Sequence, residues 1–155
     1  VSDQAVYTAL SDAAVPGRME PVSHDPLVLL DGAHNPAAVD RLPQTLDALD
    51  RERTIAVVST MADKEYGKML STIETFADAV ILSEAEIDRA ADPDELAACI
   101  DAVDCEVVLS IPDALSTAHG IADEDDAVQV TGSLYFVGDV KKELASAPDV
   151  SGDGR

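Results

Sequence analysis

The chain has 155 residues, enough for one domain that buries about two-thirds of its unfolded surface and too few for two complete domains. Hydrophobic residues make up 46% of it, which excludes a disordered acidic chain even though the net charge is −21. Ten Lys and Arg stand against 31 Asp and Glu, so nucleic acids and anionic membranes are excluded as partners, because binding phosphates needs clustered basic residues.

The acidic residues are scattered along the chain rather than gathered in one tail. Such a surface is typical of adaptation to high salt and favours a monomer, and the alternative is an acidic face that docks on a basic partner. No stretch approaches the roughly 20 apolar residues of a membrane helix, and residues 1–10 show no basic leader, so a cytoplasmic protein is expected. Cys99 and Cys105 form no CxxC pair and are expected to be reduced thiols.

Short apolar runs alternate with longer helical patterns from one end of the chain to the other. Five strands are predicted because their runs are apolar throughout, as strands covered on both faces require. These strands span residues 26–31, 54–60, 78–83, 105–110 and 127–132. Helices are predicted near 3–13 and at 36–51, 64–77, 92–103, 112–123 and 133–145.

Strict alternation of strand and helix predicts right-handed crossovers and a largely parallel sheet. In open sheets of this kind, ligands bind beyond the carboxyl ends of the strands, where loops lead into helices. The domain is expected to span residues 1–146, and the polar residues 147–155 are expected to form a tail or linker.

The first predicted strand ends in Asp-Gly-Ala-His-Asn-Pro, residues 31–36. Asp31 is placed to accept hydrogen bonds from ribose hydroxyls, and Gly32 permits a close backbone approach or a positive φ. His34 can hydrogen-bond an anionic or nucleophilic group, and Asn35 begins a helix. The alternative is structural: Asp31 caps the turn, Asn35 is only a helix N-cap and His34 is a surface histidine.

Arg18 is the only basic residue among the first forty, in the Pro- and Gly-bounded loop at 16–21. An isolated guanidinium in an acidic chain indicates a fork for a phosphate or carboxylate, because charge-assisted bidentate bonds suit its geometry. A local ion pair with Glu20 or Asp12 is the alternative.

Two further loops carry polar candidates at the same predicted edge of the sheet. Asp63 and Lys64 lie between the second strand and its helix, where Asp63 could instead be the N-cap. Ser133 follows Gly132 at the start of the last helix, where its hydroxyl could cap the helix or contact a ligand.

Motifs of a complete catalytic site are missing from the sequence. There is no GxxxxGK[ST] loop, no GxGxxG and no HExxH. His24, His34 and His119 are widely separated, so no metal site is predicted.

The order of the segments resembles a known family. PGRME, VLLDGAHNPAAVDRL, MADKEYGKML, DRAADPDELA and VQVTGSLYFVGDV together resemble the C-terminal domain of the folylpolyglutamate synthase and dihydrofolate synthase family, within the Mur ligase superfamily. The similarity covers about residues 5–145, and the Asp-Gly-Ala-His-Asn-Pro run is its most specific part. It implies a Rossmann-like three-layer α/β domain with a mostly parallel sheet of about six strands.

The resemblance also implies an activity for a longer chain. The family uses ATP to convert a carboxylate into an acyl phosphate, which the amine of L-glutamate attacks to give an amide. The acceptor would be dihydropteroate or a (tetrahydro)folate polyglutamate. ATP and Mg²⁺ would be bound mainly by an upstream P-loop ATPase domain, so this segment alone is expected to be inactive, and a dihydropteroate synthase domain could follow downstream.

By position in the family's motifs, Arg18 would contact the ATP phosphates, and Asp31 with Gly32 would contact the nucleotide. His34 and Asn35 would lie near the incoming glutamate and the reaction centre.

Lys64 and Ser133, together with His34, match positions at the substrate site. Val15 departs from the family, which often has Trp before this Pro-Gly-Arg. Two alternatives stay open: a free-standing ligand-binding or regulatory module, and another Mur-type amino-acid ligase.

Overall fold

The computed structural model describes Ala5, Thr8 and residues 15–146. Most of the helix predicted at 3–13, and the tail predicted at 147–155, lie outside the described residues. Within the described part, the elements are, in chain order, β1 Glu20–His24, β2 Leu27–Asp31, α1 Pro36–Val39, α2 Leu42–Asp47, β3 Thr54–Val58, α3 Tyr66–Phe76, β4 Ala79–Leu82, α4 Pro93–Ala97, β5 Asp104–Val107, α5 Ile111–Ile121, β6 Ala127–Thr131 and α6 Leu134–Ser146.

The six strands form one sheet in the order β1-β2-β6-β3-β4-β5. Every neighbouring pair is parallel except β1 and β2. This confirms the predicted α/β fold class and its mostly parallel sheet. Because β6 lies between β2 and β3, Thr131 is paired with Asp31 on one side and Val58 on the other. The loops that follow these three strands therefore start next to one another.

Apolar side chains cover both faces of the sheet, as the unbroken apolar strands predict. On one face, Leu29 and Val58 belong to a core with buried residues of α1, α2, α3 and α4. On the other face, Leu30 and Val57 belong to a core with α5 and α6, in which Phe136 is fully buried. The result is the predicted three-layer arrangement, with the sheet in the middle.

One strand was not among the five predicted, because its sequence is not an apolar run. β1, Glu-Pro-Val-Ser-His, is only partly buried and pairs antiparallel with β2, with an irregularity between Pro21 and Ser23. An edge strand with one exposed face does not need the continuous hydrophobic pattern that marks the central strands.

Two of the predicted helices are shorter than expected. The helix predicted at 36–51 is interrupted between Val39 and Leu42, since Pro43 has no N–H to donate to the carbonyl of Val39. The helix predicted at 92–103 ends at Ala97, after which Cys99 and Ile100 donate their N–H groups three residues back, to the carbonyls of Leu96 and Ala97. These i to i−3 bonds tighten the end of the helix.

The opposite end of the sheet is fixed by an ion pair. The Asp126 carboxylate is buried and accepts hydrogen bonds from the backbone N–H and the guanidinium of Arg53, with Nη2 at 2.7 Å. Burial opposes ionisation of this carboxyl, but the bonds from Arg53, the N–H bond from Asp123 and the charge of Arg53 together outweigh burial and lower the pKa of Asp126. The pair joins the starts of β3 and β6, far from the loops at the other end.

The far edge of the sheet is formed by β5, which pairs with β4. Its residues Asp104, Cys105 and Glu106 are exposed. Cys99 and Cys105 are both free thiols. None of the helices in the described part of the chain is long and apolar enough to span a bilayer.

Candidate functional site

The loops after β2, β3, β4 and β6, together with the loop before β1, enclose two clefts at the carboxyl end of the sheet. The large cleft, of about 600 Å³, lies between the loop at 16–19, residues 31–35 and the α1–α2 segment at 37–45. The small cleft, of about 150 Å³, is lined by His34, Lys64, Arg89, Ser133 and Tyr135 with two apolar neighbours. The site therefore lies where the topology of the sheet predicts it.

Asp31 holds the loop that carries Arg18. Its Oδ2 accepts a hydrogen bond from the N–H of Met19 at 3.0 Å, and its Oδ1 accepts one from the N–H of Ala33 at 2.9 Å. Met19 has a φ of 42°, a strained value for a side chain of this type, so the bond to Asp31 offsets a local cost. The turn-capping role that was the structural alternative is present.

The charge of Asp31 is shaped by its surroundings. Burial raises the pKa of Asp31, while the N–H bonds from Ala33 and Met19 and the positive charges of Arg18 and Arg41 act in the opposite direction. A carboxylate oxygen with one N–H partner keeps a further lone pair, so Asp31 can still accept a bond from a ligand.

Arg18 is exposed and lines the large cleft. The predicted alternative of an ion pair with Glu20 is wrong, because the Glu20 carboxylate accepts bonds from the N–H of Gly17 at 3.0 Å and from Lys141 Nζ at 3.1 Å. Asp12, the other proposed partner, lies outside the described residues. Among the residues that are described, Arg18 has no carboxylate within ion-pairing distance, and its guanidinium is available to a ligand.

Gly32 permits a close approach, but the group that approaches it in the structure is a side chain of the protein and not a ligand. A Cβ at this position would overlap the side chain of Leu134, and the N–H of Gly32 donates to the carbonyl of Gly17 at 2.7 Å. Of the two uses predicted for Gly32, the structure therefore shows the close approach and not a positive φ. Leu134 thereby packs into the loop and separates the two clefts, since it lines both.

His34 is half-buried and lines both clefts. Its Nδ1 lies 2.9 Å from the carbonyl oxygen of Gly32. A carbonyl only accepts, so Nδ1 carries the proton, and Nε2 of the neutral ring is left with a lone pair. Asn35 is the N-cap of α1, its Oδ1 accepting the N–H of Ala38 at 2.8 Å. The cap uses the amide oxygen of Asn35 and leaves its NH₂ group for other partners.

The small cleft combines a helix cap with two cations. The Ser133 hydroxyl oxygen is buried and accepts the N–H groups of Tyr135 at 3.0 Å and Phe136 at 3.3 Å, so the capping role is present. The cations are Lys64, which follows β3, and Arg89, which follows β4. The guanidinium of Arg89 lies 5.9 Å from the centroid of the Tyr135 ring.

Asp63 does not cap the following helix, contrary to the structural alternative. The N-cap of α3 is Glu65, which makes no side-chain capping bond, so the helix begins later than predicted. Asp63 instead forms an exposed ion pair with Arg89, at 3.8 Å. The pair orients Arg89 at the rim of the small cleft.

Two cationic residues of the clefts were not predicted from the sequence. Arg41 lines the large cleft and Arg89 lines the small one. A signal for Arg41 exists: positions three and four residues away hold Ala37, Ala38, Gln44 and Thr45, with no acid to pair with it on a helix. Arg89 has Asp88 and Asp92 nearby in the sequence and offers no such signal.

The described residues contain no group of three or more His, Cys, Asp or Glu side chains that could hold a metal ion. These residues therefore offer no metal site built from three or more protein ligands.

The chain matches a family model, and similar proteins have known structures. The family model, "Mur ligase, glutamate ligase domain", matches residues 17–134. A probable bifunctional folylpolyglutamate synthase/dihydropteroate synthase of Halobacterium salinarum is 38% identical over 144 residues, which is 91% of this chain and 18% of the relative.

Two solved structures resemble the fold over nearly the whole chain. Escherichia coli FolC in complex with DHPP and ADP has a TM-score of 0.80 and 28% identity, over 94% of this chain and 35% of the other. A bifunctional folylpolyglutamate synthase/dihydrofolate synthase with Mn, AMPPNP and L-glutamate bound has a TM-score of 0.79 and 31% identity, over the same shares. The chain thus spans about a fifth to a third of the length of these proteins.

The matched range begins in the loop that carries Arg18 and ends at Leu134, the side chain between the two clefts. Sequence, fold and the position of the clefts agree, and the chain belongs to the Mur ligase family, as its glutamate ligase domain.

Proposed function

We propose that this domain works within a longer chain as the glutamate-adding part of an ATP-dependent folate-pathway ligase. The longer chain would join L-glutamate to dihydropteroate or to a (tetrahydro)folate polyglutamate. The observation that carries the proposal is the shared wall of the two clefts: His34 and Leu134 line both of them. A nucleotide in the large cleft and an amino acid in the small cleft would have their reacting ends at His34.

In the large cleft, Arg18 would bind the phosphates of ATP and Asp31 would accept a bond from the ribose. The guanidinium of Arg18 is exposed and has no ion pair among the described residues, which supports the first role, since planar bidentate bonds to phosphate are its strongest interactions. The free lone pairs of the half-buried Asp31 carboxylate support the second. The NH₂ group of Asn35 would donate to a phosphate oxygen near His34.

In the small cleft, Lys64 and Arg89 would bind the two carboxylates of glutamate. Two cations in a cleft of about 150 Å³ suit a small dianionic amino acid. Ser133 would add one bond, because its oxygen already accepts two N–H groups and its hydroxyl proton remains to be donated. The helix cap and the ligand contact would thus use different sides of one hydroxyl.

The chemistry would proceed in two steps. The acceptor carboxylate takes the terminal phosphoryl group of ATP, giving an acyl phosphate and ADP. The glutamate amine then attacks the acyl carbon, the amide C–N bond forms, and phosphate leaves with the C–O bond electrons. His34 would accept a proton from the amine at Nε2, the nitrogen that its bond to Gly32 leaves free. Arg18 would neutralise charge on the phosphoryl group during transfer.

The rest of the machinery would come from other parts of a longer chain. An upstream P-loop ATPase domain would hold Mg²⁺ and most of the ATP. The name of the Halobacterium salinarum relative supports a dihydropteroate synthase domain downstream as well.

ATP turnover by the natural full-length chain that carries these residues tests the proposal. ADP release would be followed with Mg²⁺ in molar KCl, with and without L-glutamate, offering dihydropteroate and tetrahydrofolate separately. Turnover that requires both glutamate and one pterin is expected, and it would name the acceptor. A protein that circular dichroism shows to be folded, yet that turns over no ATP with either pterin, would favour a ligand-binding module instead.

We further propose that the protein is adapted to high salt, which the net charge of −21 and the Halobacterium salinarum relative support. Salt screens repulsion between exposed carboxylates, with a Debye length of about 30 Å at 0.01 M and about 3 Å at 1 M. The melting temperature of the chain is therefore expected to rise between 0.01 M and 2 M KCl. Thermal unfolding followed by circular dichroism measures this, and an unchanged or lower melting temperature at 2 M would contradict it.

A further inference from the structure

Most basic residues in the described part of the chain are neutralised by a neighbouring carboxylate. Of the ten Lys and Arg, nine are described, all except Arg155. Five of these nine form ion pairs, namely Arg51, Arg53, Lys68, Arg89 and Lys141. The other four are Arg18, Arg41, Lys64 and Lys142.

Three of these four unpaired cations line a cleft: Arg18 and Arg41 the large one, and Lys64 the small one. Four of the nine described basic residues thus have no carboxylate partner, although the chain has about three acidic residues for every basic one. The unpaired positive charge of the described residues is therefore concentrated at the site, and Lys142, on α6, is the exception.

Arg41 and Arg18 lie on different segments of the large cleft. Arg18 is in the loop at 16–19, and Arg41 directly precedes α2, with its side chain exposed. Both positive charges reach the Asp31 carboxyl, whose pKa each of them lowers. Among the described residues, neither has a carboxylate within ion-pairing distance, so their guanidinium donors are available to a ligand in the cleft.

Binding of a ligand with several negative charges would explain why two arginines line one cleft of an acidic chain. A chain with a net charge of −21 repels a nucleoside triphosphate, and unneutralised cations inside a cleft reverse the local potential. One arginine can bind one phosphate group with both arms of its fork, and a chain of phosphates offers further groups to a second arginine.

We propose that Arg41 is a second phosphate-binding arginine of the large cleft, acting with Arg18 on the phosphate chain of the nucleotide. The inference rests on the proposed function, in which this cleft receives ATP. It assigns a binding role to a residue for which the motif resemblance gives none.

The test compares Arg41→Gln with Lys142→Gln in the natural full-length chain, since each variant removes one positive charge. Calorimetric titration at fixed KCl would give the Kd of adenosine, ADP and AMPPNP, and steady-state assays would give KM for ATP, glutamate and the pterin. We expect Arg41→Gln to weaken ADP and AMPPNP about 10-fold, the size of one charge-assisted hydrogen bond. In both variants the Kd of adenosine and the KM values for glutamate and pterin are expected to stay within about twofold of wild type, because the lost bond is made to a phosphate, and Lys142→Gln is expected to keep the wild-type kcat as well.

Other outcomes separate this inference from the proposed function. If Arg41→Gln binds nucleotides as Lys142→Gln does, while Arg18→Ala is impaired, the role of Arg41 is overturned and the nucleotide cleft stands. If Arg18→Ala also binds normally, the cleft assignment itself fails. An equal loss for adenosine and ADP, or a rise in KM confined to glutamate or the pterin, would overturn the phosphate contact. Arg41→Lys is expected to recover part of the affinity for ADP.

Discussion

In the full-length chain, Arg18→Ala is expected to lower kcat/KM for ATP about 100-fold, the cost of removing one donor that stabilises charge in a transition state. The guanidinium is exposed and has no ion pair among the described residues, so the free energy of unfolding is expected to change by less than about 0.5 kcal/mol. Glutamate-dependent ADP release and urea unfolding, measured on the same preparation, check the two parts.

Arg18 is a cleaner test of this cleft than Asp31. Removing the Asp31 carboxylate also removes the acceptor for the N–H groups of Met19 and Ala33, so the loop that carries Arg18 would move. Arg18→Lys serves as the matched control, because it keeps the charge and loses the bidentate fork, and an intermediate rate is expected. Wild-type turnover by a folded Arg18→Ala protein would remove Arg18 from the site.

Gly132→Ala is expected to destabilise the domain by about 3–5 kcal/mol, since two independent costs add. Gly132 has a φ of 117°, a conformation that side-chain-bearing residues rarely adopt, and a Cβ there would overlap the carbonyl oxygen of Ser59. The overlap is with backbone at the end of a central strand, where little can shift. Urea unfolding of Gly132→Ala against wild type measures the loss.

Gly138→Ala provides the control, because it adds the same methyl group within α6 and meets no atom within 4 Å. It is expected to stabilise the chain by about 0.5–1 kcal/mol, since glycine costs conformational entropy inside a helix. Equal stability of the Gly132→Ala and Gly138→Ala proteins would show that the turn before Ser133 tolerates a side chain. Ser133 would then not depend on Gly132 for its position at the small cleft.

The central part of the fold could be predicted from the sequence, because burial leaves a clear pattern. Strands such as Thr54–Val58 and Ala127–Thr131 are buried along their whole length. Their sequences are accordingly rich in apolar residues, which a window of five residues is enough to show. The antiparallel Glu20–His24 leaves no such pattern, since its half-exposed residues resemble a loop. The interruption near Pro43 follows from one missing N–H, which helical periodicity does not reveal.

Residues that line the clefts could be predicted where a residue is unusual for its surroundings. Arg18 is isolated in an acidic sequence, and Asp31 and His34 lie at the end of a strand and in the short loop that leads to the next helix. Arg89 is different, because it reaches the small cleft only through the packing of its loop beside β3, where the N–H of Ala62 donates to its carbonyl oxygen. Contacts between separate loops depend on the order of strands in the sheet, which the sequence does not state directly.

The edge strand β5 resists pairing with a second copy of the chain in different ways at low and at high salt concentration. Among the described residues β5 has no partner on its outer side, so its backbone groups there could extend the sheet into a second copy, as exposed edges do in aggregating proteins. In dilute buffer, Asp104 and Glu106 of two copies would repel one another across such a contact. In molar salt that repulsion is screened within about 3 Å, so the carboxylates no longer prevent two β5 strands from approaching each other. The brevity of β5, four residues, then still limits how many hydrogen bonds a second copy can gain at this edge.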